Sequence, residues 1–220
     1  MTVVHFSRPL NPHYNFSDPR NREVIAATEA YDRAFLSEPR DIAYLEAAER
    51  AALGGRTTYE TGVCVEAPWG ENLIVSFQKA TNGEPDRCVK KITVNPGYML
   101  SLQRHRGRSE NWKVLDGTLT VIRNGNRIDV QAGESFDLDI GDIHCMSNAS
   151  FRPVTVRETQ TGTCREADNV RLCDANNRPI YPLTNPTEYE SARAYAALQL
   201  EINGLHGTGY NPHPGLLRKV

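Results

Sequence analysis

Residues 97–117 read GYMLSLQRHRGRSENWKVLDG, and residues 133–148 read GESFDLDIGDIHCMSN. In the first stretch Gln103 and His105 are two apart, so on a strand both side chains leave the same face. Gly107 offers a bend, after which Glu110, Trp112 and Val114 share a face of the next strand. His144 comes from the second stretch and meets this group if the strands close into a barrel. Two imidazoles and one carboxylate suit a single Zn²⁺, Mn²⁺, Co²⁺ or Fe²⁺, leaving coordination positions open for substrate. Gln103 would add a weaker, neutral oxygen donor.

The flanking sequence has the texture of short strands. Residues 89–94, 99–105, 111–115, 119–122, 128–130 and 154–160 carry β-type runs, separated by Gly83-Glu84-Pro85-Asp86, Asn95-Pro96-Gly97, Asn124-Gly125-Asn126 and Ala132-Gly133. Asn124-Gly125 predicts a two-residue hairpin loop, because both central positions of a type I′ turn need positive φ. Many short strands with no helices between them imply a sandwich or barrel, so the expected fold class is mainly β.

Helical patterns lie outside this region. Val24, Ala27, Thr28, Tyr31 and Phe35 fall on one stripe; Pro39 breaks it, and a second helix runs from Arg40 through Leu53 to Gly54-Gly55. Near the other end Asn185 is a natural N-cap, Pro186 fits the first helical position, and Glu188 completes a capping box. Tyr189, Ala192, Ala196 and Leu200 would form that helix's packing face over about 186–202. The expected organisation is an arm and two helices over 1–56, a barrel over 57–180, and a helix with an irregular tail over 181–220.

Composition narrows the partners. The 220 residues are 39% hydrophobic and 24% charged, and the net charge of −2 offers no general electrostatic attraction to nucleic acid or an acidic membrane. No apolar run is long enough to span a bilayer, and a cytoplasmic setting is expected. The five cysteines, Cys64, Cys88, Cys145, Cys164 and Cys173, include no C-x-x-C pair and read as free thiols. Cys145 follows His144 and should therefore point away from the metal.

Gly97, Gln103, His105, Glu110 and Gly117, then Gly133, Gly141, His144 and Asn148, resemble the two motifs of the cupin family. Gln103 stands where the first His is usual, and Asp139 where a Pro is usual. The stretch 89–117, Pro68-Trp69-Gly70, Glu158-T-Q-x-Gly162 and residues 166–174 resemble more closely the isomerase domain of type II mannose-6-phosphate isomerases. The resemblance covers about residues 66–178. It implies a cupin barrel (a double-stranded β-helix or jelly roll) with helical additions at both ends, a homodimer, and Gln103 as a fourth protein ligand beside His105, Glu110 and His144. In family members that also carry a pyrophosphorylase, that domain precedes this one. No Gly-rich nucleotide loop with a signature basic residue occurs in this chain.

The implied activity is the metal-dependent interconversion of an aldose and a ketose, such as mannose 6-phosphate and fructose 6-phosphate. Isomerases or epimerases of unphosphorylated sugars of the lyxose or mannose type, iron-dependent oxygenases and non-catalytic sugar-binding cupins are the alternatives. Isomerisation needs a base beside the substrate. Glu158 is the candidate, because Val154, Val156, Glu158 and Gln160 alternate on one face and an inward face would desolvate the carboxylate. Arg108 matches the Arg of the family's H-x-x-R-x-E motif, and Lys90 the Lys of its K-x-I-x-V-x-P-G stretch; both are candidate contacts to the enediolate or a sugar phosphate. Arg165, Arg171 and Arg178 alternate with Glu166, Asp168 and Asp174, a pattern expected mostly at a surface.

Overall fold

The computed structural model describes Tyr59, residues 61–62, 64–67, 69–175 and 180–212, and Leu216. The two helices expected over 21–53, together with Arg178, lie outside the described residues.

Alternating sequence produces two antiparallel sheets that face each other. The strands are β1 (Cys64–Ala67), β2 (Gly70–Gln78), β3 (Asp86–Val94), β4 (Leu102–His105), β5 (Arg108–Asp116) and β6 (Thr118–Arg123). They continue as β7 (Asn126–Gln131), β8 (Ser135–Leu138), β9 (His144–Ser147), β10 (Val154–Gly162) and β11 (Asn169–Cys173). One sheet has the order β1-β2-β3-β10-β5-β8 and the other β11-β4-β9-β6-β7. The architecture is mainly β, as expected, with a helix added at its C-terminal side.

The strand registers divide the interior in two. Across β3, β10 and β5 the inward rows read Val94–Val154, Ile92–Val156–Val114, Lys90–Glu158–Trp112 and Cys88–Gln160–Glu110. One end is therefore hydrocarbon, and the other becomes charged within two rows. The opposite sheet matches it: Leu119, Val121, Val130 and Met146 join Ile92, Val94, Trp112 and Val156 in one core. Period-2 alternation puts Lys90, Glu158, Gln160 and Glu110 on the same face as the apolar residues of these rows, so closure of the barrel buries both.

The Asn124-Gly125 loop forms as expected, with φ of 49° and 84° and Arg123 opposite Asn126. Asn124 then ties the hairpin to the approach of β9. Its Nδ2 donates to Asp142 Oδ1 (2.7 Å) and its Oδ1 accepts from Ile143 N (2.9 Å). Glycine is required where β10 ends, since a Cβ on Gly162 (φ 124°) would stand 2.2 Å from the Gly107 carbonyl oxygen.

Helix α1 (Pro186–His206) covers the outer face of the second sheet. It runs one turn past the expected end and stops at Gly207, which adopts a left-handed φ of 68°. Its packing face also differs from expectation: Tyr189 and Leu200 are about half exposed, while Ala192, Tyr195, Leu198 and Ile202 meet Leu102, Ile122, Cys145, Val170 and Leu172. The face is rotated because Tyr195 is drawn inward, where its hydroxyl donates to the Leu100 carbonyl (2.9 Å). Cys145 lies in this outer layer and so points away from His144, as alternation requires.

At the helix start Asn185 Oδ1 accepts from the Glu188 amide (3.0 Å). The Glu188 carboxylate does not return to Asn185 as a capping box would; it accepts from the amide and hydroxyl of Thr184 at 2.6 and 3.0 Å. Replacing Asn185 with Ala should cost about 1 kcal/mol in denaturant unfolding. Burial opposes a charge on Glu188, but the Thr184 bonds and Arg104 outweigh it and hold its pKa below the ordinary value. This contribution is full above the unfolded pKa of about 4.3 and is lost as pH falls through the lower folded pKa. Glu188→Gln should therefore destabilise the protein at pH 7, with the gap closing in acid, as measured by unfolding curves across pH.

Candidate active site

The charged end of the barrel is built by both sheets. On the second sheet the inward row across β11, β4, β9 and β6 is Arg171–Gln103–His144–Arg123, with His105 opposite Asn169 just beside it. From the first sheet come Glu110, Trp112, Glu158, Gln160 and Lys90. The bend at Gly107 carries the chain from β4 to β5, so Glu110 faces the two imidazoles across the interior.

His105, Glu110 and His144 converge, and their ligand atoms lie within 4.8 Å of one another. His105 Nε2 is 2.9 Å from Glu110 Oε1, and His144 Nε2 is 3.7 Å from Glu110 Oε2. All three residues are buried. Burial and then the adjacent Arg108 charge push His105 down to about 3, and burial also lowers His144, so both imidazoles are neutral near pH 7. Burial opposes a charge on Glu110, yet His105 and Arg108 beside its carboxylate keep it ionised.

His144 supplies the test of fit for a metal. Its Nδ1 lies 2.9 Å from the Asp142 carbonyl, which can only accept, so Nδ1 carries the ring proton. Nε2 then presents a lone pair, is fully buried, and has no hydrogen-bond partner. A lone pair facing a carboxylate in a dry interior is unfavourable unless a cation lies between them. The donor set and this orphaned nitrogen fit a divalent ion bound by His105, Glu110 and His144. Gln103 is on the same face beside His144, but its Oε1 accepts from Ser101 Oγ (2.8 Å).

Glu158 and Lys90 form the wall next to this cluster. Lys90 Nζ is 3.3 Å from Glu158 Oε1 and 4.6 Å from the centre of the Tyr59 ring. Burial disfavours the Lys90 charge, but Tyr59 and Glu158 outweigh it and hold the lysine protonated. Glu158 is raised above the ordinary carboxylate value by burial and then by the nearby Glu110 charge, with Lys90 and Arg108 opposing. No hydrogen bond among the described residues reaches Glu158 Oε2.

Arg108 lies beneath the cluster, buried, with every donor aimed at protein groups. Nε donates to Glu110 Oε1 (3.1 Å), and Nη1 to the Arg165 carbonyl and Asp168 Oδ2 at 3.1 and 3.4 Å. Nη2 donates to Asn169 Oδ1 (2.8 Å) and lies 3.3 Å from His105 Nε2. This geometry makes Arg108 a brace for His105 and Glu110.

Several participants escape sequence reasoning. Gln160 Nε2 donates to Glu110 Oε1 and Glu158 Oε1, both at 2.8 Å, separating two carboxylates that would otherwise repel. Trp112 fills the core and also donates Nε1–H to Glu110 Oε2 (3.0 Å). Arg171, in a run that reads as surface, is buried with Nη2 3.0 Å from Glu166 Oε1. Its parity with Asn169 on β11 was the available signal, but charge alternation along the run obscured it.

The model of the family "Mannose-6-phosphate isomerase C-terminal" matches residues 54–174. The chain belongs to this family. It is 34% identical over 124 residues to a mannose-1-phosphate guanylyltransferase of Escherichia coli, covering 56% of this chain and 25% of that protein. Against the alginate biosynthesis protein AlgA of Pseudomonas aeruginosa it is 32% identical over 129 residues, covering 58% and 26%. The match thus spans only about a quarter of the length of these curated relatives. Among solved structures, a conserved protein with a double-stranded β-helix domain from Klebsiella pneumoniae is 22% identical, with a TM-score of 0.33 over 38% of this chain and 81% of that one. A predicted oxalate decarboxylase from Thermotoga maritima is 20% identical, with a TM-score of 0.39 over 42% and 79%. No helix among the described residues is long and apolar enough to cross a membrane.

His105→Ala and His144→Ala should each abolish stoichiometric binding of Zn²⁺ or Mn²⁺ in calorimetric titration. Gln103→Ala deletes a neutral group already bonded to Ser101 and should weaken binding far less. Full metal binding by either His variant would rule out this centre.

Proposed function

We propose that this protein is a metal-dependent aldose–ketose isomerase acting on a phosphosugar of the mannose 6-phosphate/fructose 6-phosphate type through an enediolate. The observation that carries this reading is the placement of Glu158, a buried carboxylate with one oxygen held and the other unbonded, beside His105, Glu110 and His144. A divalent ion held by those three residues would act as a Lewis acid toward the substrate's carbonyl and neighbouring hydroxyl oxygens.

Isomerisation moves a proton between adjacent carbons. Glu158 Oε2 would take the C2 proton of the aldose, the C2–H electrons would form the C1–C2 double bond, and the carbonyl oxygen would receive the displaced pair. Return of the proton to C1, with transfer of the O2 proton to O1 as the C2–O2 double bond forms, gives the ketose. Lys90 and Gln160 fix Glu158 through Oε1, so the free oxygen keeps one orientation throughout. The raised pKa of Glu158 brings its basicity nearer to neutral pH, where it can both accept and return the proton. The apolar rows of Ile92, Val114 and Val156 close the barrel beneath the site and limit water entry.

Sugars deuterated at C2, followed by NMR with Mn²⁺ or Zn²⁺ under anaerobic conditions, test the reading directly. Exchange of the label and formation of the ketose are expected. Sugar binding with no exchange would indicate a binding module, and turnover that consumes O₂ would indicate an oxygenase. Glu158→Gln keeps the size of the side chain and removes the base. It should lower exchange and isomerisation together by roughly 10²–10⁴-fold while metal content stays at the wild-type level; a loss of only a few-fold would reassign the base.

A further inference from the structure

We propose that Arg123 is the anchor for the substrate's phosphate group, placing the non-reacting end of a sugar phosphate at the rim of the site beside His144. The inference rests on the sugar-isomerase reading for its substrate but on separate residues for its geometry.

Three of the inward-facing cations are committed elsewhere. Arg108 is buried under the cluster with its donors on Glu110, Asp168, Asn169 and the Arg165 carbonyl. Lys90 is held between Glu158 and the Tyr59 ring, and Arg171 is 3% exposed and bonded to Glu166. A phosphate dianion brought to any of them would have to displace an internal carboxylate in a desolvated interior.

Arg123 differs in position and in access. It stands directly opposite His144 in the β6–β9 register, and its parity with Val121 turns it inward. A third of its side chain remains exposed. The guanidinium lies 5.6 Å over the Phe136 ring, within the range of cation–π attraction. Phe136 contacts Trp112, and the edge of Trp112 meets His144, so the guanidinium belongs to one continuous wall with the metal-binding residues.

Among the described residues, only one corner of that guanidinium is occupied. Nη2 lies 2.6 Å from Asp142 Oδ2 and 3.6 Å from the exposed Asp139 carboxylate. Nε and Nη1 have no hydrogen bond among the described residues. Asp142 is itself well supplied: Oδ1 accepts from Asn124 Nδ2 (2.7 Å), and Oδ2 from the Asp139 amide (3.0 Å) as well as from Arg123. A guanidinium beside an aromatic ring and pinned at one corner presents its remaining donors in the planar pattern that suits two phosphate oxygens.

The test compares mannose 6-phosphate with mannose, and measures binding of inorganic phosphate by calorimetry, for wild type, Arg123→Gln and Arg123→Lys, with metal content recorded for each. Arg123→Gln should lower kcat/KM for mannose 6-phosphate about 10- to 100-fold more than for mannose, mainly through KM, as expected for loss of a charge-assisted pair of bonds. It should weaken binding of inorganic phosphate in parallel, and Arg123→Lys should fall between the two. If Arg123 only braced Asp142 and His144, metal affinity and turnover of both sugars would fall together; an unchanged preference for the phosphorylated sugar would overturn the proposal. Should Arg123→Gln fail to fold, the lysine variant carries the same comparison. Isomerisation by wild type without any preference for phosphate would defeat the anchor and leave the isomerase reading intact. Phosphate binding that depends on Arg123, with no C2 exchange from either sugar, would do the reverse.

Discussion

The interior is organised around one buried carboxylate. Glu110 Oε1 faces Arg108 Nε, Gln160 Nε2 and His105 Nε2 at 3.1, 2.8 and 2.9 Å, and Oε2 accepts from Trp112 Nε1 at 3.0 Å. An ionised carboxylate removed from water is tolerable only when such partners replace its hydration. The partners come from β4, β5 and β10, so satisfying Glu110 fixes three strands relative to one another. The same charge binds His105 to the cluster, raises Glu158 across the Gln160 bridge, and anchors the Trp112 ring, which stands nearly perpendicular to the His144 ring.

This arrangement links stability to reactivity. A barrel filled entirely with hydrocarbon would fold without the polar rows, as the Ile92–Val156–Val114 layer illustrates at the closed end. The open end instead collects Lys90, Arg108, Glu110, Glu158 and two histidines in a small volume, where each charge is tolerable only in the company of its neighbours. Groups arranged in this way cannot reorganise cheaply, which keeps their mutual distances fixed. Among the described residues, the lone pair of His144 Nε2 and the second oxygen of Glu158 are among the positions left incompletely used. Metal and substrate chemistry would complete them.

Much of this site was legible in the chain. Strand parity correctly placed Gln103 with His105, Glu110 with Trp112, and Glu158 with Gln160 on inward faces, and turned Cys145 outward. The Asn124-Gly125 hairpin followed from the φ requirement of its turn. Parity says only that a residue faces the interior, however, and not which side chains meet there. Gln160 looked like one more polar residue in a strand, and its bridging role appears only when β10 lies in register between β3 and β5. The charge alternation around Arg171 suggested a solvated run, because sequence proximity to carboxylates does not distinguish an exposed pair from a buried one.

The sequence by itself determined the class of fold, the two metal-site motifs and the inward direction of the polar residues, because these depend on local periodicity and backbone conformational preference. Tertiary structure decided how those residues divide their work. Arg108 and Arg123 are both arginines near the motif, yet one is buried with its donors on protein groups and the other is partly exposed, with Nε and Nη1 unbonded among the described residues. The face of α1 shows the same limit: its period was evident, but its rotation was set by the shape of the sheet that received Tyr195. Burial and hydrogen-bond partnership are properties of the closed barrel, formed by residues tens of positions apart, and no local pattern encodes them.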